Sequence, residues 1–150
     1  MDNRIEVFTD KYFDDLPPLI QEFHSTYLQT KLIQLDYDTL LKTLTDLTQT
    51  TPENMFIVIS NNRCVGLLAG QEIHNRINSD KIYQEFFWYV EPGHGTAGFK
   101  LVREAENDLK SRGFSSIIMS VIESDKAAKI KRVYNRMGYR PLEEHYLRRL

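Results

Sequence analysis

One stretch of the chain constrains its fold more than any other. Residues 81–90 (KIYQEFFWYV) have the aromatic and β-branched content of a strand, and residues 91–95 (EPGHG) break it. An amphipathic helix is predicted from about Thr96 to Arg112, and the apolar run 116–122 (SIIMSVI) predicts a buried strand. A strand, a helix and a second strand in this order form a crossover, so we expect the two strands to lie parallel in one sheet.

The rest of the chain adds antiparallel strands and helices around this crossover. Two apolar, β-branched runs are separated by Asn61, Asn62 and Arg63, which is typical of a hairpin. Pro17 and Pro18 must kink or split the first helix, because neither can donate a helix hydrogen bond. We therefore predict an α/β fold with a mixed sheet, in a single domain that spans residues 1–150. The predicted strands are about 5–8, 55–60, 64–73, 81–90, 116–122 and 143–149, and the helices about 10–23, 37–47, 96–112 and 125–137.

Charge is unevenly distributed along the chain. Residues 1–60 contain 4 lysines and arginines against 10 acidic residues, whereas residues 61–150 contain 15 against 11. These charges are either solvated helix faces, or a basic half that faces an anionic cofactor and an acidic half that faces a cationic acceptor. No basic arm or aromatic-interleaved patch indicates a nucleic-acid partner.

No segment of the chain predicts export or membrane insertion. The N-terminus, MDNRIEVFTD, lacks the apolar core of a signal peptide, and the longest clean apolar run, 55–59, is far too short to span a bilayer. The single cysteine, Cys64, excludes an internal disulfide and gives no metal-ligand spacing. We therefore expect a cytoplasmic protein without a metal. The sequence leaves the oligomeric state open, a homodimer included.

The glycine-rich loop is the first feature with a chemical meaning. A helix N-terminus presents free N–H groups and a partial positive charge, which together form an anion site. The loop residues Gly95, Thr96, Ala97 and Gly98 let that backbone approach a diphosphate closely. A purely structural turn explains the same glycines about equally well.

The surrounding residues carry a resemblance to a known family. Residues 88–102 (WYVEPGHGTAGFKLV) and 133–150 (VYNRMGYRPLEEHYLRRL) resemble the acetyl-CoA core and the last helix and strand of the GNAT acetyltransferase superfamily. The sequence as a whole is similar to the compact members of this superfamily that are frequent in phage genomes. The resemblance implies a central, mostly antiparallel twisted sheet of six to seven strands with one parallel, splayed pair, flanked by about four helices. It also implies acetyl-CoA as cosubstrate, with its pantetheine amides paired to the main chain of Tyr89 and Val90.

Two residues are candidates for catalysis. Tyr134 stands where relatives place a tyrosine that protonates the departing thiolate, and a phenol with a pKa of about 10 stays protonated at neutral pH. Glu85 lies on the strand beside the expected cofactor slot. It is a candidate base, directly or through water, because an amine acceptor must lose a proton before it attacks. Simple core packing of Tyr134 and an exposed strand position for Glu85 are the alternatives.

Together these observations predict an N-acetyltransferase. It would move an acetyl group from acetyl-CoA to a primary amine by direct attack in a ternary complex. The acceptor remains open between a protein lysine or N-terminus, a polyamine and a small amino compound. Gly93 and Thr96 replace the basic residue and the middle glycine of the usual family loop. The alternative is therefore a catalytically weak or inactive CoA-binding or protein-interaction module on the same fold.

Overall fold

The computed structural model describes residues 2–27 and 33–150. In these residues the chain forms five strands and four α-helices, and two short 3-10 segments, Asp10–Asp15 and Pro52–Asn54, precede α1 and β2. The strands are β1 (Arg4–Val7), β2 (Met55–Ser60), β3 (Arg63–His74), β4 (Lys81–Val90) and β5 (Ser116–Ile118). The helices are α1 (Leu16–Tyr27), α2 (Tyr37–Thr50), α3 (Ala97–Ser111) and α4 (Ala127–Arg136).

All five strands lie in one sheet in the order β1-β2-β3-β4-β5. The first four pair antiparallel, and β4 and β5 are parallel, which confirms the predicted crossover and the α/β class. Asn61 and Asn62, with φ of 49° and 59°, form the two-residue connection between β2 and β3. A type I′ hairpin turn requires this left-handed conformation, which asparagine tolerates, so the predicted hairpin is confirmed as well.

Helices cover both faces of the sheet. Pro17 and Pro18 lie in the first turn of α1, where the N–H groups have no acceptor within the helix. The helix predicted from about residue 10 is split just before them, into the 3-10 segment Asp10–Asp15 and α1. On the α1 and α2 face, the core includes Leu19, Ile20, Leu44, Ile57, Leu67 and Phe87. On the α3 face, it includes Leu101, Val102, Ala105, Val58, Leu68 and Tyr83.

The pairing of β3 with β4 shifts by one residue near the middle of both strands. The shift falls between Ala69 and Gly70, and the extra residue on β4 is Phe86. This β-bulge places Glu85 directly opposite Gly70 and re-aims the side chains that follow it.

Gly70 is required at this point because β3 and β4 approach too closely for a side chain. A Cβ at position 70 would lie 2.5 Å from the carbonyl oxygen of Gln84 and 2.6 Å from the ring of Tyr83. Tyr83 is fully buried, and its hydroxyl donates a hydrogen bond to the Asn54 carbonyl at 2.7 Å. The Tyr83 ring therefore has a fixed place against the β3 backbone.

The prediction of a last strand at residues 143–149 is wrong. In the described part of the chain no strand follows α4, and residues 140–150 are exposed. The strand predicted at 116–122 is also shorter, since β5 ends at Ile118. The sheet therefore has five strands rather than six to seven. A strand forms only where a neighbouring edge accepts its backbone hydrogen bonds, and local sequence does not specify that edge.

Candidate active site

The two parallel strands separate shortly after they pair. β5 is hydrogen-bonded to β4 only along Ile82, Tyr83 and Gln84. From Glu85 to Val90, the edge of β4 that faces away from β3 therefore has no paired strand in the described chain. Glu85 lies at the point of separation. Its Oε2 accepts a hydrogen bond from the backbone N–H of Ser120, two residues beyond β5, at 2.9 Å. The Glu85 carboxyl therefore bridges the two strands where they begin to diverge.

Glu85 is a buried acid without a basic partner in the described residues. Its side chain and backbone together are only 6% exposed. Burial raises the pKa of Glu85 to about 7, and the Ser120 N–H, which stabilises the carboxylate, opposes this shift. The sequence alternative, an exposed strand residue, is thus wrong, and the carboxyl is able to exchange a proton near neutral pH.

Tyr134 of α4 reaches the same place from the other side. Its hydroxyl donates to the carbonyl oxygen of Ser120 at 2.8 Å, and its ring stacks on Trp88 with centroids 5.8 Å apart and an interplanar angle of 20°. Burial, and secondly the nearby carboxylate of Glu85, raise the pKa of Tyr134 above its ordinary value. The phenol therefore remains protonated at any physiological pH.

A cleft of about 390 Å³ opens beside Trp88 and Tyr89. Tyr89 is mostly buried, and its hydroxyl interacts with Thr26 and Glu22 of α1, while burial raises its pKa to about 12. The cleft lies between the end of α1, the second half of β4 and the start of α4. Its lining residues are Thr26, Tyr27, Trp88, Tyr89, Pro92, Lys126, Lys129, Ile130 and Val133.

The glycine loop leads from β4 into α3. Gly93 and Gly95 have φ of 90° and 58°, values that residues with a side chain rarely adopt. The N–H of Ala97 donates to the His94 carbonyl at 3.1 Å, so this amide is already used. Within the described residues, the N–H groups of Gly95, Thr96 and Gly98 donate to no backbone carbonyl. Three of the four amides predicted to bind a diphosphate are therefore open to a ligand.

Contacts from outside the loop hold it in place. Arg63 forms two hydrogen bonds with Glu91, at 2.7 and 2.6 Å, directly after β4. The Asn3 side-chain amide donates to the His94 carbonyl at 3.3 Å, and Lys100 Nζ donates to the Asn3 carbonyl at 3.1 Å. The loop is thus tied to both the N-terminus and β3.

Several buried polar atoms around the loop lack a hydrogen-bond partner. Four such side-chain atoms occur in the described residues, and three of them, Asn3 Oδ1, Trp88 Nε1 and His94 Nδ1, lie here. Trp88 Nε1 is 4.0 Å from where a Cβ at Gly98 would be. Because a buried donor or acceptor without a partner is costly, this concentration favours a polar ligand beside the α3 N-terminus.

The sequence predicted β4, α3 and α4, the elements that form this site, but it did not predict two of the contacts within it. It identified Glu85 and Tyr134 separately, whereas the structure joins them through Ser120. Nothing in the sequence indicated that the Trp88 ring stacks on Tyr134. The only local signal for Ser120 is a polar residue inside the apolar run 116–122.

Two kinds of feature are absent from the described residues. Residues 2–27 and 33–150 contain no group of three or more His, Cys, Asp or Glu side chains arranged to hold a metal ion. The same residues include no helix with the length and apolarity required to cross a membrane.

Comparison with protein families gives one match that spans most of the chain. Residues 14–139 match the model of the acetyltransferase (GNAT) family. No curated protein matches the chain significantly.

Solved structures with the same fold cover nearly the whole chain. A ribosomal-protein-alanine N-acetyltransferase from Brucella melitensis biovar Abortus 2308 aligns with a TM-score of 0.75 at 12% identity and covers 100% of both chains. The aminoglycoside N-acetyltransferase AAC(6')-Iy in complex with CoA has a TM-score of 0.75 at 13% identity, covering 99% of this chain and 95% of that one. A Trypanosoma brucei acetyltransferase has a TM-score of 0.64 at 17% identity, covering 99% and 100%. At these identities the likeness shows a shared fold.

Proposed function

The chain belongs to the GNAT acetyltransferase family, and from this premise we propose that it transfers the acetyl group of acetyl-CoA to a primary amine, by direct attack in a ternary complex. The observation that carries the proposal is a pair of hydrogen bonds at Ser120, where β4 and β5 separate: Glu85 accepts the Ser120 N–H, and Tyr134 donates to the Ser120 carbonyl. A carboxyl with a pKa of about 7 and a protonated phenol both contact Ser120 there, and Trp88, on which the Tyr134 ring stacks, lines the open cleft. Acetyl-CoA supplies the acetyl group as a reactive thioester.

The residues around the glycine loop fit acetyl-CoA. We assign the diphosphate to the open amides of Gly95, Thr96 and Gly98 at the start of α3, where the helix dipole also favours an anion. Ala97 is the exception: its N–H is already bonded to the His94 carbonyl, so only its small side chain, which leaves room for the diphosphate, contributes to the site. The unpaired edge of β4 at Tyr89 and Val90 offers main-chain groups to the pantetheine amides. Lys126 and Lys129 place positive charge on the cleft wall.

Glu85 is the proposed base. An amine acceptor is mostly protonated near pH 7, and a carboxylate whose pKa is close to 7 accepts that proton directly or through one water. Glu85 keeps its bond from the Ser120 N–H with Oε2, which leaves Oε1 for the acceptor. Burial of the carboxyl strengthens this interaction, because nearby water no longer screens it.

Tyr134 is the proposed acid. Its hydroxyl has one proton, and in the structure this proton is donated to the Ser120 carbonyl. To protonate a departing thiolate, the hydroxyl must exchange that acceptor for the sulfur. The ring stays in place during the exchange because it is stacked on Trp88.

The acceptor is proposed to be a cationic amine. One fold relative acts on aminoglycosides and another on an alanine of a ribosomal protein, so an amine acceptor is the shared chemistry. The negative charge of residues 1–60 favours cations near α1 and α2. Five aspartates of this half contribute to that charge: Asp10, Asp14, Asp15, Asp36 and Asp38. Asp15 also accepts the Cys64 N–H and Asp36 the Thr39 hydroxyl, and a carboxylate keeps its negative charge while it accepts such a hydrogen bond.

The test is release of CoA thiol from acetyl-CoA in the presence of a panel of amines: polyamines, aminoglycosides, lysine peptides and peptides with a free N-terminus. We expect turnover with at least one cationic amine and a rate that falls as salt rises from low to physiological ionic strength, where the screening length is about 8 Å. Binding of CoA measured by calorimetry, with no turnover on any amine, would instead support the inactive CoA-binding module.

A further inference from the structure

Two helices that pack on opposite faces of the sheet meet at one point. Tyr27, at the end of α1, packs against the core of the α1 and α2 face, whereas Met137, directly after α4, packs against the core of the α3 face. At the other end of α4, the Nζ atom of its N-cap residue, Lys126, lies 5.4 Å from the centroid of the Tyr27 ring. The sheet does not separate the two residues because β5 leaves β4 after Gln84. Their contact therefore crosses the gap that this divergence opens.

The same two residues line the cleft beside β4. Tyr27 belongs to its α1 wall and Lys126 to its α4 wall, and Trp88 and Tyr89 form its β4 wall. The α1 and α4 walls touch each other through Tyr27 and Lys126. Their contact therefore closes the side of the cleft that lies opposite the unpaired edge of β4.

The two partners in this contact are held with different firmness. The Tyr27 ring packs on Phe23 with centroids 4.7 Å apart, and Phe23 in turn packs on Phe87 at 4.6 Å. Lys126 is fixed through its backbone, whose N–H donates to Ser124 Oγ at 3.3 Å, and its ammonium group forms no ion pair in the described residues. A lysine side chain is a flexible four-carbon stem. The ring is therefore the fixed part of the contact, and the ammonium group is the part that can move.

The contact is of a kind that opens readily. Burial, and secondly the negative charge of Asp125, raise the pKa of Tyr27, so the ring remains a neutral phenol. The Lys126 ammonium is consequently held by the face of a neutral ring rather than by a carboxylate. Such an attraction is strong enough to keep the contact closed most of the time, and weak enough for a ligand to displace it.

We propose that Lys126 and Tyr27 form a clasp that opens to admit the pantetheine arm of the cosubstrate and closes over it. The main chain of Tyr89, to which we assign a pantetheine amide, lies on the side of the cleft opposite this clasp. An arm seated on β4 is enclosed when the clasp is shut, so the clasp slows both entry and departure. The inference rests on the proposed function only in taking this cleft as the site of the arm.

The first experiment measures how fast CoA binds and leaves, by stopped-flow fluorescence of Trp88, the single tryptophan of the chain, which lines the cleft. Lys126→Met and Tyr27→Leu each remove one half of the clasp. We expect either variant to raise both the association and the dissociation rate constants by about 3- to 30-fold, the range that one cation–π contact accounts for, while Kd stays within about 3-fold. Lys126→Arg keeps the cation and Tyr27→Phe keeps the ring, and both should retain the wild-type rates.

The matched control is Lys131→Met, which removes the same charge from an exposed position of α4 outside the cleft. It should keep both rate constants. Unchanged rate constants in Lys126→Met and Tyr27→Leu overturn the proposal. So does a loss of CoA affinity in Lys126→Met with wild-type behaviour in Tyr27→Leu, because Lys126 would then be a phosphate contact and not half of a clasp.

A second measurement needs no cosubstrate. In the free protein the closed clasp shields Trp88, so acrylamide should quench its fluorescence more strongly in Lys126→Met and Tyr27→Leu than in the wild type. Equal quenching in the three proteins contradicts the clasp. Neither measurement uses an amine acceptor. Failure to acetylate any amine would therefore contradict the proposed function and leave the clasp intact, whereas a wild type that binds no CoA would overturn both.

Discussion

Glu85 and Tyr134 hold the same residue from two sides: Glu85 Oε2 accepts the Ser120 N–H at 2.9 Å, and the Tyr134 hydroxyl donates to the Ser120 carbonyl at 2.8 Å. Each of the two side chains therefore has a structural contact as well as a proposed chemical role. Substitution of either one changes stability and rate together, and the sizes and pH dependence of the two effects separate the roles.

Glu85→Gln should remove the base while keeping an oxygen that accepts the Ser120 N–H. We expect kcat to fall by about 10²–10⁴ and the acid limb of the kcat/KM profile, with an apparent pKa of about 7, to disappear. Steady-state rates across about pH 5–9 check this. Glu72→Gln, which alters a partly exposed carboxylate paired with Lys81, is the matched control and should keep the wild-type profile. An unchanged acid limb in Glu85→Gln would rule out this base.

The same variant should be more stable than the wild type at alkaline pH. Burial raises the pKa of Glu85 from 4.5 to about 7, so the folded protein keeps a proton that the unfolded chain has released. Wild-type stability therefore declines as pH rises from about 4.5 to about 7 and changes no further above that. Glutamine avoids this cost, which is on the order of 3–4 kcal/mol. Thermal unfolding of both proteins at several pH values measures the difference, and parallel curves would contradict the raised pKa.

Tyr134→Phe should lower kcat by about 10²–10⁴ with little change in KM for acetyl-CoA, because the lost proton matters only in the transition state. From sequence we expect its stability to hold, with the hydroxyl facing an open slot. The structure changes that expectation: the lost bond to Ser120 should cost about 1 kcal/mol of unfolding free energy. Tyr139→Phe, which loses a hydroxyl bonded to Glu106, is the control for stability and should keep near-normal kcat. Equal kcat in both variants would reduce Tyr134 to a packing residue.

Gly98→Asp should abolish binding of CoA. A Cβ at this position would lie 3.6 Å from Val90 and 3.7 Å from Trp88, which are ordinary contacts, so the variant is expected to fold. The aspartate charge, in contrast, would repel the diphosphate at the α3 N-terminus. Calorimetry with CoA compares it with Gly98→Asn, which has nearly the same shape without the charge. Similar affinities for the two variants would place the diphosphate elsewhere.

Trp88→Phe should raise KM for acetyl-CoA by about 10-fold, the equivalent of one hydrogen bond, while kcat changes little. The buried Nε1 lacks a partner in the described residues, and we expect an oxygen of the bound cosubstrate to accept from it. Phenylalanine keeps an aromatic ring against Tyr134. Since Trp88 is the single tryptophan of the chain, its fluorescence in the wild type also reports CoA binding directly. An unchanged KM would show that the indole N–H does not contact the cosubstrate.

Much of the fold could be predicted because it follows from local pattern. The Asn61-Asn62 turn, the alternation in β4 and the apolar stripe of α3 each specify their own element. The strand expected at 143–149 failed for a different reason. Its residues suit a strand, but a strand also needs an edge to pair with, and no local pattern states whether that edge lies in the same chain.

The candidate site was predictable in its residue types but not in its connections. A carboxylate on β4 and a tyrosine on the last helix follow from the family pattern. Ser120, which links them, is 35 positions from Glu85 and 14 positions from Tyr134 in the sequence. It exists only because β4 and β5 diverge after three paired residues. Burial of Glu85, and with it the pKa near neutrality, depends on that divergence and cannot be read from neighbouring residues.

Gly70 lies on β3, outside the cleft, yet it determines the position of Glu85, which lies directly opposite it on β4. Any side chain at position 70 would collide with Gln84 and Tyr83 and push β4 away at the residue just before the carboxyl. Selection for turnover would therefore act on a position that touches neither cosubstrate nor acceptor. A mutant library restricted to the cleft walls would leave out this position. A chain that kept every cleft residue but replaced this glycine would have the catalytic side chains of an acetyltransferase in the wrong relative positions.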